Sequence, residues 1–305
     1  MENILRKKHY KLTFYVLVGL ILLLAIVVRT FVLPQFDMNL QENFPHFAAA
    51  FLDGLVISLI ITVSIGSFVF WLTPEIVKKS VMEVIEPKEI GLLLKKAAID
   101  SRTWVYKGAC GRYTKSTTLP GLAKAARQEG LGRDIRITLL NPAKDDLCDV
   151  YATYRKSLKS AGKDDLWTKN RVKEEVIATV VSALRFKHDE PLLRINIFLA
   201  NHFSTFRLDI SDHYVIVTKE DKEAAGLRAD VGTYFYNSYI DDVRLCERQS
   251  IEVEYIGEIP NGQHLTRESL KSIISKTAIL SEEQFDELDV ENIIKLVNSP
   301  TDPYS

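Results

Sequence analysis

Two long stretches of this chain are almost free of charge. Residues 12–33 and 47–72 hold two charged side chains between them, Arg29 and Asp53. At about 1.5 Å of rise per residue, each stretch is long enough as a helix to cross a hydrocarbon core of roughly 30 Å. The pattern therefore predicts transmembrane helices at about 12–33 and 47–72. A secretory signal peptide is the competing reading of the first. It would have an apolar core of about 7–15 residues followed by a small-residue cleavage site, and Phe31-Val32-Leu33-Pro34 offers none. Trp71 closes the second stretch at the depth where tryptophan is enriched.

The flanks predict the orientation. Arg6, Lys7, Lys8 and Lys11 precede the first helix and Lys78 and Lys79 follow the second, whereas the connection between them carries Asp37 and Glu42 and no lysine or arginine. By the positive-inside rule both termini are cytoplasmic, which makes a two-pass protein of the bacterial inner membrane. Gly54, Ser58, Thr62 and Gly66 recur every four residues and form one stripe where small side chains let another helix approach. Such a stripe serves either the first helix of the same chain or self-association of several hairpins. Arg29 and Asp53 fall at the same outer level. They are expected either to pair or to leave Arg29 snorkelling alone.

After about Lys78 the chain reads as soluble protein. The organisation expected is a basic N-terminus over 1–11, a transmembrane hairpin over 12–80, an α/β domain over 86–256, C-terminal helices over 257–299 and an unstructured tail over 300–305. The formal net charge of −1 over 305 residues gives no global attraction to nucleic acid, so no direct nucleic-acid binding is predicted from charge. Cys110, Cys148 and Cys246 stand alone, which argues against a disulfide framework or a zinc site.

Periodicity within the soluble part predicts helices at 87–99, 119–129, 145–160, 168–186, 238–249, 266–276 and 281–297. Strands are predicted at 103–106, 134–140, 192–199, 203–210, 214–217 and 231–236, with the turn at Asp209–His213 making one antiparallel hairpin. Alternation of this kind indicates a mixed α/β sheet covered by helices.

Catalytic spacings are missing. The chain has no GxxxxGK[ST], GxGxxG, HExxH or GxSxG, and its six histidines form no helical pair. Asp145-Asp146 reads as the acidic first turn of a helix. No cofactor and no metal are therefore expected. Gly108 and Gly111 permit close backbone approach to an anion, and Arg112, Arg155 and Arg207 can supply guanidinium forks, with Asn141 at the end of the 134–140 strand beside them. The alternative for Arg155 and Arg207 is an ordinary salt bridge to Asp209 or Asp212. Trp104 and Tyr106 read as core.

The run Trp104-Val-Tyr106-Lys-Gly108-Ala-Cys-Gly111-Arg112-Tyr113 is followed by Leu119-Pro120, Leu139-Leu140-Asn141-Pro142, Leu147-Cys148 and Tyr151-Ala-Thr-Tyr154-Arg155. Together these resemble a domain of bacterial proteins related to the phospholipase D fold, and Phe206-Arg207-Leu-Asp209 with Asp212 and Val217-Thr218 fits its later hairpin. The resemblance covers about 88–240 and rests on packing and loop residues. Catalytic members need a histidine with a lysine two residues on, since the histidine attacks phosphorus and the lysine holds phosphate oxygens. Here Ser204 follows His202 at that offset and Val215 follows His213, which departs from the pattern and argues against an enzyme.

A short hairpin joined to such a domain is similar to two-helix membrane effectors of prokaryotic antiphage systems, encoded with retrons or cyclic-nucleotide operons. That similarity implies a homo-oligomer whose cytosolic domain senses a partner or ligand and whose hairpins then disrupt the bilayer in abortive infection. The partner implied is a reverse transcriptase with its nucleic acid, or a nucleotide second messenger. The rival expectations are a membrane-tethered phosphodiesterase or nuclease with a noncanonical site, and a non-toxic scaffold.

Overall fold

The computed structural model describes residues 8–32, 44–72, 79–158, 167–221, 223–255, 257, 259 and 265–302. They fall into two compact units, divided between Lys78 and Lys79.

In the first unit, helix α1 (Lys8–Val27) continues into a π-helical turn at Val28–Val32, and α2 spans Phe44–Leu72. Within α2, Phe47–Phe68 has a mean hydropathy of 2.2 and none of it is buried inside the protein. This segment is long and apolar enough to cross a membrane. The apolar stretch of α1, Val18–Val32, is shorter and falls below that length. Of the two spans expected, the structure thus shows one candidate. The connection over 34–43 and Lys78 lie outside the described residues, as do the side chains of Arg29 and Trp71, and with Arg29 the expected pair. Gly54, Ser58 and Thr62 are exposed and Gly66 is half-buried. A Cβ added to Gly54 would meet nothing within 4 Å, so at that position the stripe does not pack on α1.

The second unit is built on one eight-stranded sheet of order β1-β7-β6-β5-β2-β3-β4-β8. Its elements in chain order are β1 (Glu83–Ile85), α3 (Pro87–Asp100), β2 (Thr103–Lys107), a π-helical turn (Thr114–Thr118), α4 (Leu119–Glu129), β3 (Arg133–Leu140), α5 (Asp145–Lys156) and α6 (Lys169–Asp189). Next come β4 (Leu193–Ala200), β5 (Phe206–Ser211), β6 (Tyr214–Lys219), β7 (Gly226–Asp230), α7 (Tyr234–Arg248), β8 (Ile251–Glu252), α8 (Arg267–Thr277), α9 (Glu282–Asp286) and α10 (Val290–Asn298). β2, β3 and β4 run parallel, and every other neighbouring pair is antiparallel. The mixed α/β class is as expected.

Side-chain alternation sorts the core into two layers. Trp104, Tyr106, Ile135, Ile137, Ile195 and Ile197 face one cluster with α3 to α6, and Leu270, Ile273 and Ile293 bring α8 and α10 into that same cluster. Val105, Leu208, Ile210, Val215 and Val217 face the other, under Val243 of α7. The C-terminal helices therefore share the main core of the sheet.

Two local readings are corrected. Residues 231–236 are a turn and the first residues of α7: Gly232 takes φ +84°, and Thr233 caps the helix by accepting from the Tyr236 N–H. The strand lies one step earlier, at Gly226–Asp230. The 281–297 helix is two helices, because Asp289 caps a new one by accepting from the Asn292 N–H. β1 and β8 have too few residues to show a period and were not anticipated.

Candidate functional site

Because β2, β3 and β4 are parallel and in register, they end at one edge of the sheet, at Lys107, Leu140 and Ala200. β5 enters at that edge with Phe206 and β6 leaves it with Lys219, which pairs with Phe206. The carboxyl edge of parallel strands is where open α/β sheets bind ligands. Gly108, Gly111, Arg112, Asn141, Arg155 and Arg207 all belong to segments that meet there.

What the edge collects is a cluster of buried charge among aromatic rings. Arg207 Nε lies 2.6 Å from Asp209 Oδ2, and both side chains are buried. The Arg207 guanidinium stands 5.5 Å from the Tyr106 ring centre and 5.2 Å from that of Tyr113. Arg155 of α5 donates to the Glu220 backbone carbonyl and lies 3.6 Å from its carboxylate, which also accepts from the Tyr151 hydroxyl. The same guanidinium sits 4.7 Å from the Trp167 ring centre, and Arg112 sits 5.6 Å from it. Glu175 of α6, buried, takes three cations: Arg171 at 3.0 Å, Lys115 at 3.3 Å and Arg112 at 3.5 Å. Among the described residues the cluster thus sets Arg112, Lys115, Arg155, Arg171 and Arg207 beside the carboxylates of Glu175, Asp209 and Glu220.

Burial sets the protonation of the neutral groups. It pushes the Tyr106 and Tyr151 phenols and the Cys110 thiol well above their usual ranges, Arg207 opposing it at Tyr106 and Arg155 at Tyr151. A thiol held protonated is a poor nucleophile. Burial also lowers the Lys115 ammonium, against the pull of Glu175, and raises the Asp209 carboxyl against the pull of Arg207.

The glycines have an internal reason. A Cβ on Gly108 would stand 2.2 Å from the Tyr106 hydroxyl, and one on Gly111, at φ +67°, 2.8 Å from Thr179 Cγ2. The Gly111 N–H donates to Tyr106 Oη at 3.2 Å. The close approach is therefore made by the Tyr106 side chain at Gly108 and by Thr179 and Leu139 at Gly111, and the Gly111 amide is occupied from within. Asn141 ties strand ends together: its amide donates to Asn201 Oδ1 at 2.9 Å and its carbonyl oxygen accepts from the Ala143 N–H at 3.0 Å. Arg207 makes the salt bridge foreseen for it, whereas Arg155 uses Glu220. Asp212 instead accepts from the backbone N–H groups of Arg102 and Thr103.

His202 follows β4 at the carboxyl edge, with Nε2 3.7 Å from Cys246 Sγ. His213 lies in the β5–β6 turn, at the other end of the hairpin. A strand of six residues is roughly 20 Å long, so these two histidines cannot share one site. Among the described residues no three His, Cys, Asp or Glu side chains gather as metal ligands. Lys115, Trp167, Arg171, Glu175 and Glu220 were not anticipated. A signal for the helical members existed: Lys173-Glu174-Glu175 interrupts the Val172, Val176, Val180 period within a helix too apolar to be solvated.

No protein-family model matches this sequence, and no curated protein matches it. Among solved structures, TrmBL2, an archaeal chromatin protein described as showing a novel mode of DNA binding, shares 10% identity over 68% of this chain and 68% of its own, with a TM-score of 0.34. Nuc from Salmonella typhimurium, a phospholipase D family member, shares 10% identity over 57% of this chain and 99% of its own, with a TM-score of 0.29. At such superposition neither likeness bears on what the site does.

Proposed function

We propose that this protein is a membrane-anchored antiphage effector of the bacterial inner membrane. In this reading α1 and α2 form a two-pass hairpin with both termini in the cytoplasm, and the sheet unit is a degenerate phospholipase D-like domain that senses and does not hydrolyse. What it senses is a nucleotide second messenger, or a partner that is a reverse transcriptase with its nucleic acid. Binding changes the association of the chains, and the hairpins then disrupt the membrane in abortive infection.

The observation that carries the reading is the carboxyl edge itself. It gathers arginine guanidiniums among aromatic rings, Arg207 between Tyr106 and Tyr113 and Arg155 and Arg112 over Trp167, with the buried Arg207–Asp209 ion pair among them. Arginine forks over aromatic rings recognise phosphate, whereas phosphodiester cleavage needs a nucleophile and a base. Partly exposed Arg112 and Arg171 are the first groups an incoming anion would meet.

The test is induction of the full chain in growing bacteria, with membrane potential followed by a voltage-sensitive dye. Depolarisation with growth arrest is expected, and Arg112→Gln/Arg171→Gln should blunt the response to the trigger while leaving the protein in the membrane. Arrest without depolarisation, abolished by His202→Ala in a normally abundant protein, would favour the phosphodiesterase. No arrest at all would favour the scaffold.

A further inference from the structure

A separate cleft of about 290 Å³ lies between α3 and the turn at Thr114–Thr118 with α4 that follows it. Leu94 and Ala98 contribute apolar surface to it, and Lys95 and Lys124 line it from the two helices. Thr118, 1% exposed, also lines it, and its Oγ1 has no hydrogen-bond partner among the described residues. A hydroxyl buried beside an apolar cleft without an acceptor is costly unless something fills the cleft and supplies one.

The outer face of α3 continues this surface. Lys88, Leu92, Lys95 and Ile99 recur at four, three and four residues and so form one stripe, with Lys96 beside it. Leu92 is 70% exposed and Ile99 53%. Exposed aliphatic side chains set among lysines on one helix face are what an interfacial helix presents to a bilayer.

We infer that this face docks onto anionic phospholipid of the membrane in which the chain is anchored, with part of one acyl chain in the cleft, a lipid ester carbonyl accepting from Thr118 and the phosphate between Lys95 and Lys124. The inference rests on the membrane-anchored reading above. Size fits it, since 290 Å³ is at the small end for a ligand pocket and suits part of one chain better than a whole soluble ligand. Charge fits it too. Lys96 and Lys124 make no ion pair among the described residues. Lys88 with Glu86 (2.7 Å) forms an exposed pair of the weak kind that a lipid phosphate displaces, and Lys95, itself exposed, lies at the longer distance of 3.7 Å from half-buried Asp302.

The experiment uses the full chain with Ile99→Cys carrying an environment-sensitive fluorophore. The three native cysteines are buried, so the new thiol is the one labelled. The chain is reconstituted into phosphatidylcholine vesicles with or without phosphatidylglycerol, and flotation at alkaline pH is checked first. A blue shift with quenching by spin-labelled lipid is expected in the anionic vesicles, and its loss in Lys95→Glu/Lys124→Glu. Val150→Cys on exposed α5 should read water throughout. A water-like signal at Ile99→Cys in both vesicles, an equal shift in both, or a shift that tracks protein concentration in detergent, as docking of a second copy would give, overturns the inference. A chain that fails to float overturns the anchor on which it rests, a result distinct from the others.

Discussion

The two longest helices of this molecule solve opposite problems. α2 has 29 residues and leaves Phe47, Phe51, Ile57, Ile61 and Ile65 all more than half exposed, whereas α6 has 21 and buries an unbroken run from Val172 to Leu184. α6 includes three charges in that run. Lys173 is held by Asp145 at 2.6 Å, Glu174 accepts from the Asn292 amide at 2.6 Å, and Glu175 holds the three cations of the carboxyl edge. α2 carries no lysine, arginine or glutamate at all. The difference teaches that charge content does not report burial. A helix inside a protein can keep charges if partners are folded around them, whereas a helix long and apolar enough to cross a membrane keeps few, here Asp53.

That contrast breaks most visibly at Glu175. Glu175→Ala leaves Arg112, Lys115 and Arg171 facing one another beside buried surface, at an expected cost of about 3–5 kcal/mol to the sheet unit. The urea midpoint of the full chain in detergent, followed by the fluorescence of the buried Trp104 and Trp167, measures it. A midpoint within error of wild type would mean that solvent already screens the cluster.

The same instrument sharpens the comparison with matched truncations. Ile177 is fully buried in α6, and Ile177→Ala should cost about 2–5 kcal/mol through lost contacts and a residual cavity. Ile57→Ala on α2 should leave the unfolding of the sheet unit unchanged. Equal losses from the two would contradict the division at Lys78.

Smaller effects are expected on the small-residue stripe of α2. Contacts of that type are worth about 1 kcal/mol each, so Ser58→Leu/Gly66→Leu should reduce depolarisation in induced cells without removing the protein from the membrane. Unchanged depolarisation would mean that the stripe is not the surface through which chains associate.

The smallest effect is a pH dependence at the entry to α6. Hydrogen bonds from Lys169 and Lys173 hold the Asp145 carboxyl at about 2, below its ordinary value of 3.8. A depressed folded pKa contributes stability that is present above the unfolded value and is lost as pH falls from about 4 towards 2. Asp145 is 45% exposed, so screening keeps the contribution near or below about 1 kcal/mol. The gap in urea midpoint between wild type and Asp145→Asn should narrow between about pH 5 and about pH 3. A gap that widens on acidification would reverse the assignment.

Much of the sheet was legible because its parallel centre is made of strands long enough to show a pattern. Ile135, Ile137 and Leu139 alternate in β3, as do Ile195, Ile197 and Leu199 in β4. Residues 231–236 misled because Tyr234, Phe235 and Tyr236 have high strand propensity, while the cap at Thr233 and the turn at Gly232 decide for a helix. The candidate site was only half legible. Arg112, Arg155 and Arg207 stood out as residue types, and Asp209 was an expected partner of Arg207, but Glu175 and Glu220, the partners of Arg112 and Arg155, lie 63 and 65 positions away.

The sequence by itself determined where the apolar span lies, most of the helices and the central strands of the sheet unit, and that the histidines lack the lysine spacing for phosphodiester attack. These follow from local composition and period, which act within a few residues. Tertiary structure alone decided that Gly108 makes room for the Tyr106 side chain and Gly111 for Thr179 and Leu139, that Glu175 gathers three cations, and that the charges of α6 can be buried. Those outcomes depend on strand order and register, which bring the ends of β2, β3, β4, β5 and β6 to one edge, and no local pattern carries that arrangement.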